Sequence, residues 1–127
     1  MYKVEGFTNY ECTCGDEEVF GECITLQEAL DIFLRVIRDD VLDFSYLDSW
    51  IDDWADEDEC FGSYGGSIRV YEDPVDNEWG YRDILLIRIE RDPIKKMNSY
   101  DLIEFDSEIT NEEKEICESK IPVEMLY

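Results

Sequence analysis

The chain has 127 residues, the length of one domain, and its 44% hydrophobic and 13% aromatic content belongs to a folded rather than a disordered protein. Its 34 acids against 11 bases give a formal charge of −23, which disfavours nucleic acid and anionic membranes as direct ligands. Such a charge also favours a monomer, so basic proteins or cations are the expected partners.

Other residue counts narrow the chemistry. There is no histidine, which removes the commonest general base, the commonest metal ligand and every histidine-dependent triad. The five cysteines stand among acids that raise a thiol pKa, so Cys12, Cys14, Cys23, Cys60 and Cys117 are poor nucleophiles. Met1–Val4 leads straight into an alternating pattern with no apolar leader core, and no run reaches membrane-spanning length. The expectation is a cytoplasmic protein with reduced thiols.

In chain order, Tyr2 to Thr8 alternates, with Tyr2, Val4 and Gly6 on one face and Lys3, Glu5 and Phe7 on the other, and predicts a strand. Asn9 to Asp16 predicts a connecting turn, and Glu17 to Ile24 a second strand closing a hairpin. Thr25-Leu26-Gln27-Glu28 has the form of a capping box. Leu26, Ala29, Leu30, Phe33, Val36 and Ile37 then recur at helical spacing, with Arg35 and Arg38 near the C-terminus, where cations suit the macrodipole.

Ser45 to Asp56 predicts a second amphipathic helix. Leu47, Trp50, Ile51 and Trp54 form its apolar stripe, and Asp48, Asp52, Asp53 and Asp56 fall away from it. Glu57, Asp58 and Glu59 crowd acids at the end of this helix, where the macrodipole prefers cations. Gly62-Ser63-Tyr64-Gly65-Gly66 predicts a flexible loop, Ser67 to Glu72 a strand, and Asp73 to Gly80 a turn region. Tyr81 to Glu90 is apolar on both faces for much of its length, as a central strand is. Asp92 to Lys96 predicts a loop, and Leu102, Ile103 and Phe105 a further short strand. Thr110-Asn111-Glu112-Glu113 opens a last helix to about Ser119, which Pro122 stops.

The expected fold is one α+β domain over 1–127: an antiparallel sheet of four to five strands with two to three helices on one face, in the order β-β-α-α-β-β-(β)-α. Metal chemistry has a limited basis in this pattern. Cys12, Cys14 and Cys23, with Cys60 or Cys117, offer four thiolates for zinc, but paired C-x₂₋₄-C knuckles are absent. Asp56 to Gly62 fails the calcium-loop pattern, because Phe61 stands where glycine is required. No cofactor is implied, no metal site is assigned, and no catalytic residue is nominated.

The stretch from Asp39 to Ser67 carries ten acids and no Lys or Arg, threaded with Phe44, Tyr46, Trp50, Trp54, Phe61 and Tyr64. Two acids per helical turn space charges about 2.7 Å apart along the axis, close to the one per about 1.7 Å of duplex DNA. The partner-binding residues expected from this match are Asp48, Asp52, Asp53, Asp56, Glu57, Asp58 and Glu59, as phosphate surrogates. In composition, Asp39 to Glu59 resembles the DNA-mimic inhibitors of phages and mobile elements, including anti-restriction and anti-CRISPR proteins. That resemblance implies an inhibitor that occupies the basic groove of a restriction or CRISPR-type nuclease, and it transfers no individual residue. The alternatives are an acidic adaptor or immunity-type protein binding a basic partner without mimicry, a zinc-stabilised domain, or acids that form only a solvated face.

Overall fold

A computed structural model describes residues 1–10, 17–39, 64–73, 80, 82–92, 95 and 97–126. Among the described residues, six strands form one antiparallel sheet: β1 (Tyr2–Tyr10), β2 (Glu17–Cys23), β3 (Tyr64–Glu72), β4 (Arg82–Asp92), β5 (Met97–Tyr100) and β6 (Glu104–Phe105). Their order across the sheet is β2-β1-β3-β4-β5, with β6 also paired to β4. Helix α1 spans Leu26–Asp39 and helix α2 spans Asn111–Lys120, followed by a 3-10 turn at Val123–Met125. The fold is therefore α+β, as expected, with more strands than expected. The helix expected over Ser45–Asp56 lies outside the described residues, and the described elements run β-β-α-β-β-β-β-α.

One face of the sheet builds the core. Val4 of β1 pairs with Val70 of β3, which pairs with Leu85 of β4, and Ile68 pairs with Ile87 in the next row. All five side chains are buried. Leu26, Ala29, Leu30, Phe33 and Val36 of α1 join the same cluster, as do Cys117 of α2 and Ile121 just beyond it. The α1 stripe is thus the one its 3.6-residue period predicts. Phe33, Leu30 and Ala29 are fully enclosed. Gly21 admits α1 closely to β2, since a Cβ there would stand 2.5 Å from Ile32 Cδ1.

Two register shifts shape the sheet. Val4 faces Gly21 while Glu5 faces Val19, so Phe20 is an extra residue in β2. Val70 faces Leu85 while Tyr71 faces Asp83, so Ile84 is extra in β4. A bulge of this kind breaks strict alternation, and both Ile84 and Leu85 are buried in the core cluster. The unbroken apolar run of β4 therefore reflects this bulge as well as its central position.

Both helix starts follow local chemistry. The Glu28 amide donates to Thr25 Oγ1 at 3.3 Å. At α2 the box is complete: the Glu113 amide donates to Thr110 Oγ1 at 3.2 Å, and the Thr110 amide donates to Glu113 Oε1 at 3.0 Å. α2 ends one residue beyond expectation, and Pro122 follows directly on its C-cap, Ile121.

Several expectations need correction. Tyr64, Gly65 and Gly66 belong to β3 rather than to a loop. Gly65 pairs with Asn9 and Glu90, and a Cβ on it would run into the carbonyl oxygen of Ile89. Glycine here allows close backbone approach inside a central strand. β1 continues to Tyr10, through two residues expected to turn. β4 continues to Asp92 and pairs with β5, a strand with no clear signal of its own in Met97-Asn98-Ser99-Tyr100. The strand expected around Leu102–Phe105 reduces to Glu104–Phe105, while Ile103 bridges to Leu126 in parallel.

Candidate functional site: two arginine–carboxylate networks and an acidic surface

Charged networks occupy both faces of the sheet. On the helix-covered face, β4 carries Arg82 and the first turn of α2 carries Glu113. Arg82 Nη1 donates to Glu113 Oε1 and Nη2 to Oε2, each at 2.7 Å, in a bidentate fork. Glu72, the register partner of Arg82, lies 3.5 Å from Nη2. Tyr2 donates its hydroxyl to Glu113 Oε2 at 3.4 Å. Glu113 is only 7% exposed, so its charge depends on these partners.

The electrostatics follow from this geometry. The hydrogen-bonded Arg82 guanidinium holds the Glu113 carboxyl down to about 2, against the opposing effect of burial and with help from the Thr110 cap. Arg82 is held well above its ordinary range, chiefly by the hydrogen bond to Glu113. Burial, then the charges of Glu113 and Glu72, push the Tyr2 hydroxyl up to about 12.

On the opposite face, the β1–β3 register sets Glu5 beside Arg69. Arg69 Nη2 and Nε donate to Glu5 Oε1 at 2.9 and 3.2 Å. The Tyr71 hydroxyl donates to Glu5 Oε2 at 3.2 Å, and Arg69 Nη1 reaches Asp83 Oδ1 at 3.4 Å. The guanidinium also stacks over the Tyr71 ring, 4.5 Å from its centroid. Burial first, then Glu5, raises the Tyr71 hydroxyl. Ser67, Arg69, Asp83, Leu86, Glu104 and Asp106 line a shallow cavity of about 340 Å³ on this side.

Glu113 and Glu5 each accept from an arginine and from a tyrosine hydroxyl, and Glu113, Tyr2 and Tyr71 are shifted away from neutral pH. The cysteines behave similarly. Burial, then the charges of Glu113 and Glu118, push the Cys117 thiol up to about 12, and burial raises Cys23. Both are free and buried. Cys12, Cys14 and Cys60, the other thiols considered for zinc, lie outside the described residues. Among the described residues, no group of three or more Cys, Asp or Glu is placed to hold a metal ion. No described helix is long and apolar enough to cross a membrane.

The expected partner-binding residues, Asp48, Asp52, Asp53, Asp56, Glu57, Asp58 and Glu59, all lie outside the described residues. What the described part adds is the disposition of the bases. Among the described residues, Lys3 pairs with Glu22 and Asp73, Arg38 with Asp39, Arg69 with Glu5 and Asp83, Arg82 with Glu72 and Glu113, Arg88 with Glu104, and Lys120 with Asp31. Acids remain in excess at the surface. Glu112, Glu115 and Glu118 are exposed along α2, a stripe that sequence reading passed over in favour of Asp39–Glu59. Its three-residue spacing was the signal that could have found it.

A charge this unbalanced opposes compaction. Tm is expected to rise by a few degrees between about 10 and 200 mM NaCl, as the Debye length falls from about 30 Å to below 8 Å. A flat profile in differential scanning calorimetry would show that the acids are already balanced. Compared with protein families, characterised proteins and solved structures, the chain has no significant match.

Proposed function

We propose that the protein is a non-enzymatic acidic inhibitor. In this reading it binds a nucleic-acid-binding protein, such as a restriction or CRISPR-type nuclease, by presenting carboxylates where that partner's Arg/Lys groove receives phosphates, and it acts in the cytoplasm. The observation that carries the reading is a charge of −23 with bases drawn into pairs with the chain's own acids. A small domain needs a charge of magnitude only about 2–8 for solubility. The excess supports long-range steering towards a cationic groove and release of counterions from it.

Asp48, Asp52, Asp53, Asp56, Glu57, Asp58 and Glu59 are the phosphate surrogates in this proposal. Glu57 to Glu59 are the strongest candidates, because an acid run at the end of the helix expected over Ser45 to Asp56 would contribute nothing to its stability. Glu57→Lys with Glu59→Lys is expected to weaken partner binding by about tenfold or more, at the scale of one or two lost charge contacts. Thermal stability should be equal or slightly higher, since net repulsion falls.

The partner is sought by pull-down from a host lysate and mass spectrometry, then assayed with DNA or RNA present. Mimicry requires that nucleic acid and this protein exclude each other on the target, with affinity falling steeply as salt rises. Simultaneous binding of both, or a double charge reversal that leaves affinity intact, would sink the proposal. Nearly salt-independent binding would instead identify the adaptor reading.

A further inference from the structure

β2 ends the sheet at one side: β1 pairs along one flank, and no described strand pairs along the other. Its seven residues present about 23 Å of backbone at about 3.3 Å per residue. Outward amides and carbonyls on such an edge are a template for another strand. Several side chains at this edge are exposed. Val19 is 49% exposed, Glu18 and Glu22 are exposed, and the neighbouring Ile24 is 82% exposed.

The chemistry of the strand selects what can pair there. Glu17, Glu18 and Glu22 are its charged residues, and it contains no Lys or Arg. Lys3 of β1 reaches Glu22 at 3.4 Å and leaves that carboxylate half exposed. Like charges set opposite each other across a strand pair are destabilising, and opposite charges favour the pair. A second copy of this chain would bring glutamates to a glutamate-bearing edge, together with another charge of −23. The edge is therefore guarded against self-pairing and against acidic strands, while a basic strand meets no such barrier.

We propose that the outer edge of β2 binds an extended, Lys/Arg-bearing segment of a partner protein as an added strand of the sheet. Backbone hydrogen bonds supply the affinity, Glu18 pairs with a cation on the helix-covered face, and Val19 packs against an apolar side chain on the other face. This docking needs a basic partner, and it holds whether or not that partner also binds nucleic acid.

The test uses the full ¹⁵N-labelled chain and two peptides of about ten alternating Lys and Val residues. One is unmodified, and the other is N-methylated at every residue, which keeps the side-chain charge and removes the donors from both edges. Amide exchange is read by NMR. With the unmodified peptide, β2 amides should gain about tenfold protection, while the methylated peptide gives none. Glu18→Lys with Val19→Lys should abolish the gain, and unchanged protection of Ile68, Val70 and Leu85 would show that this variant is folded. Equal effects of the two peptides, or protection arising away from β2, would overturn the proposal in favour of diffuse charge attraction. Nucleic-acid competition on the native partner is a separate readout, so failure here and failure of phosphate mimicry are distinguishable.

Discussion

Glu113→Ala is expected to destabilise the protein by about 3 kcal/mol, the low end of the cost of breaking a buried ion pair. The side chain does two jobs at once. It receives both arms of the Arg82 fork at 2.7 Å, and it accepts the Thr110 amide that closes the α2 capping box. Its removal leaves the Arg82 guanidinium, 27% exposed, with Glu72 at 3.5 Å and the Glu108 carbonyl at 3.5 Å. Those partners place the cost at the lower end of the range. Glu113→Gln keeps an acceptor for the Thr110 amide and should cost less, about 2 kcal/mol. Urea unfolding measures both. A loss below about 1 kcal/mol for the alanine variant would show that Arg82 is adequately served by Glu72 and water.

The same residue gives the pH dependence a definite sign. Glu113 falls from an ordinary 4.5 to about 2 on folding. A carboxylate depressed in the folded state stabilises fully above its unfolded value and loses that contribution as pH falls through the folded one. The stability difference between the native protein and Glu113→Ala should therefore be constant above about pH 5. It should shrink progressively from about pH 4.5 to pH 2, and nearly vanish below. Taking the difference isolates this pair from the general relief of repulsion as the other acids protonate. A difference that stays constant down to pH 2 would mean that Arg82 does not hold the carboxyl down.

Gly65→Ala should cost a similar amount, about 3 kcal/mol, for a steric reason. The added methyl meets the Ile89 carbonyl oxygen and lies 3.2 Å from Glu90 Cα. These are backbone atoms of a paired strand, so no rotamer change relieves the clash. β3 and β4 would have to separate where Gly65 faces Glu90 and Gly66 faces Ile89. Gly80→Ala is the informative control. Gly80 has φ of 97° with nothing within 4 Å of a built Cβ, so its replacement costs only the left-handed backbone penalty, about 1 kcal/mol. Equilibrium unfolding of the two variants should separate these values. Equal costs would mean that the β3–β4 pairing around Gly65 is looser than the register implies.

Much of the fold was legible because it rests on short-range chemistry. Thr25 and Thr110 each stand three residues before a glutamate, and both helices start there. The apolar period of Leu26 to Val36 predicted the face that α1 buries. Glu5 and Glu113 were not legible as buried groups. An acid in an acidic sequence looks like solvated surface until a partner is brought to it, and those partners are 64 residues away for Arg69 and 31 for Arg82. The backbone shows the same limit: Gly65-Gly66 resembles a loop in isolation, and Gly65 becomes strand only between Asn9 and Glu90. β5 was missed because Met97 to Tyr100 have weak strand preference and gain order by pairing with the end of β4.

The sequence by itself determined the α+β class, the two described helix starts, the apolar stripe of α1 and the excess of negative charge. Each depends on residue type or on spacing within one helical turn or strand. Only the tertiary structure decided which carboxylates are consumed inside and which face outward. It sent Glu5 and Glu113 to Arg69 and Arg82, and it left Glu112, Glu115 and Glu118 exposed on α2 and Glu18 and Glu22 at the β2 edge. The physical reason is that sheet register and helix docking, set by burial of apolar residues distant in sequence, choose each charge's neighbours.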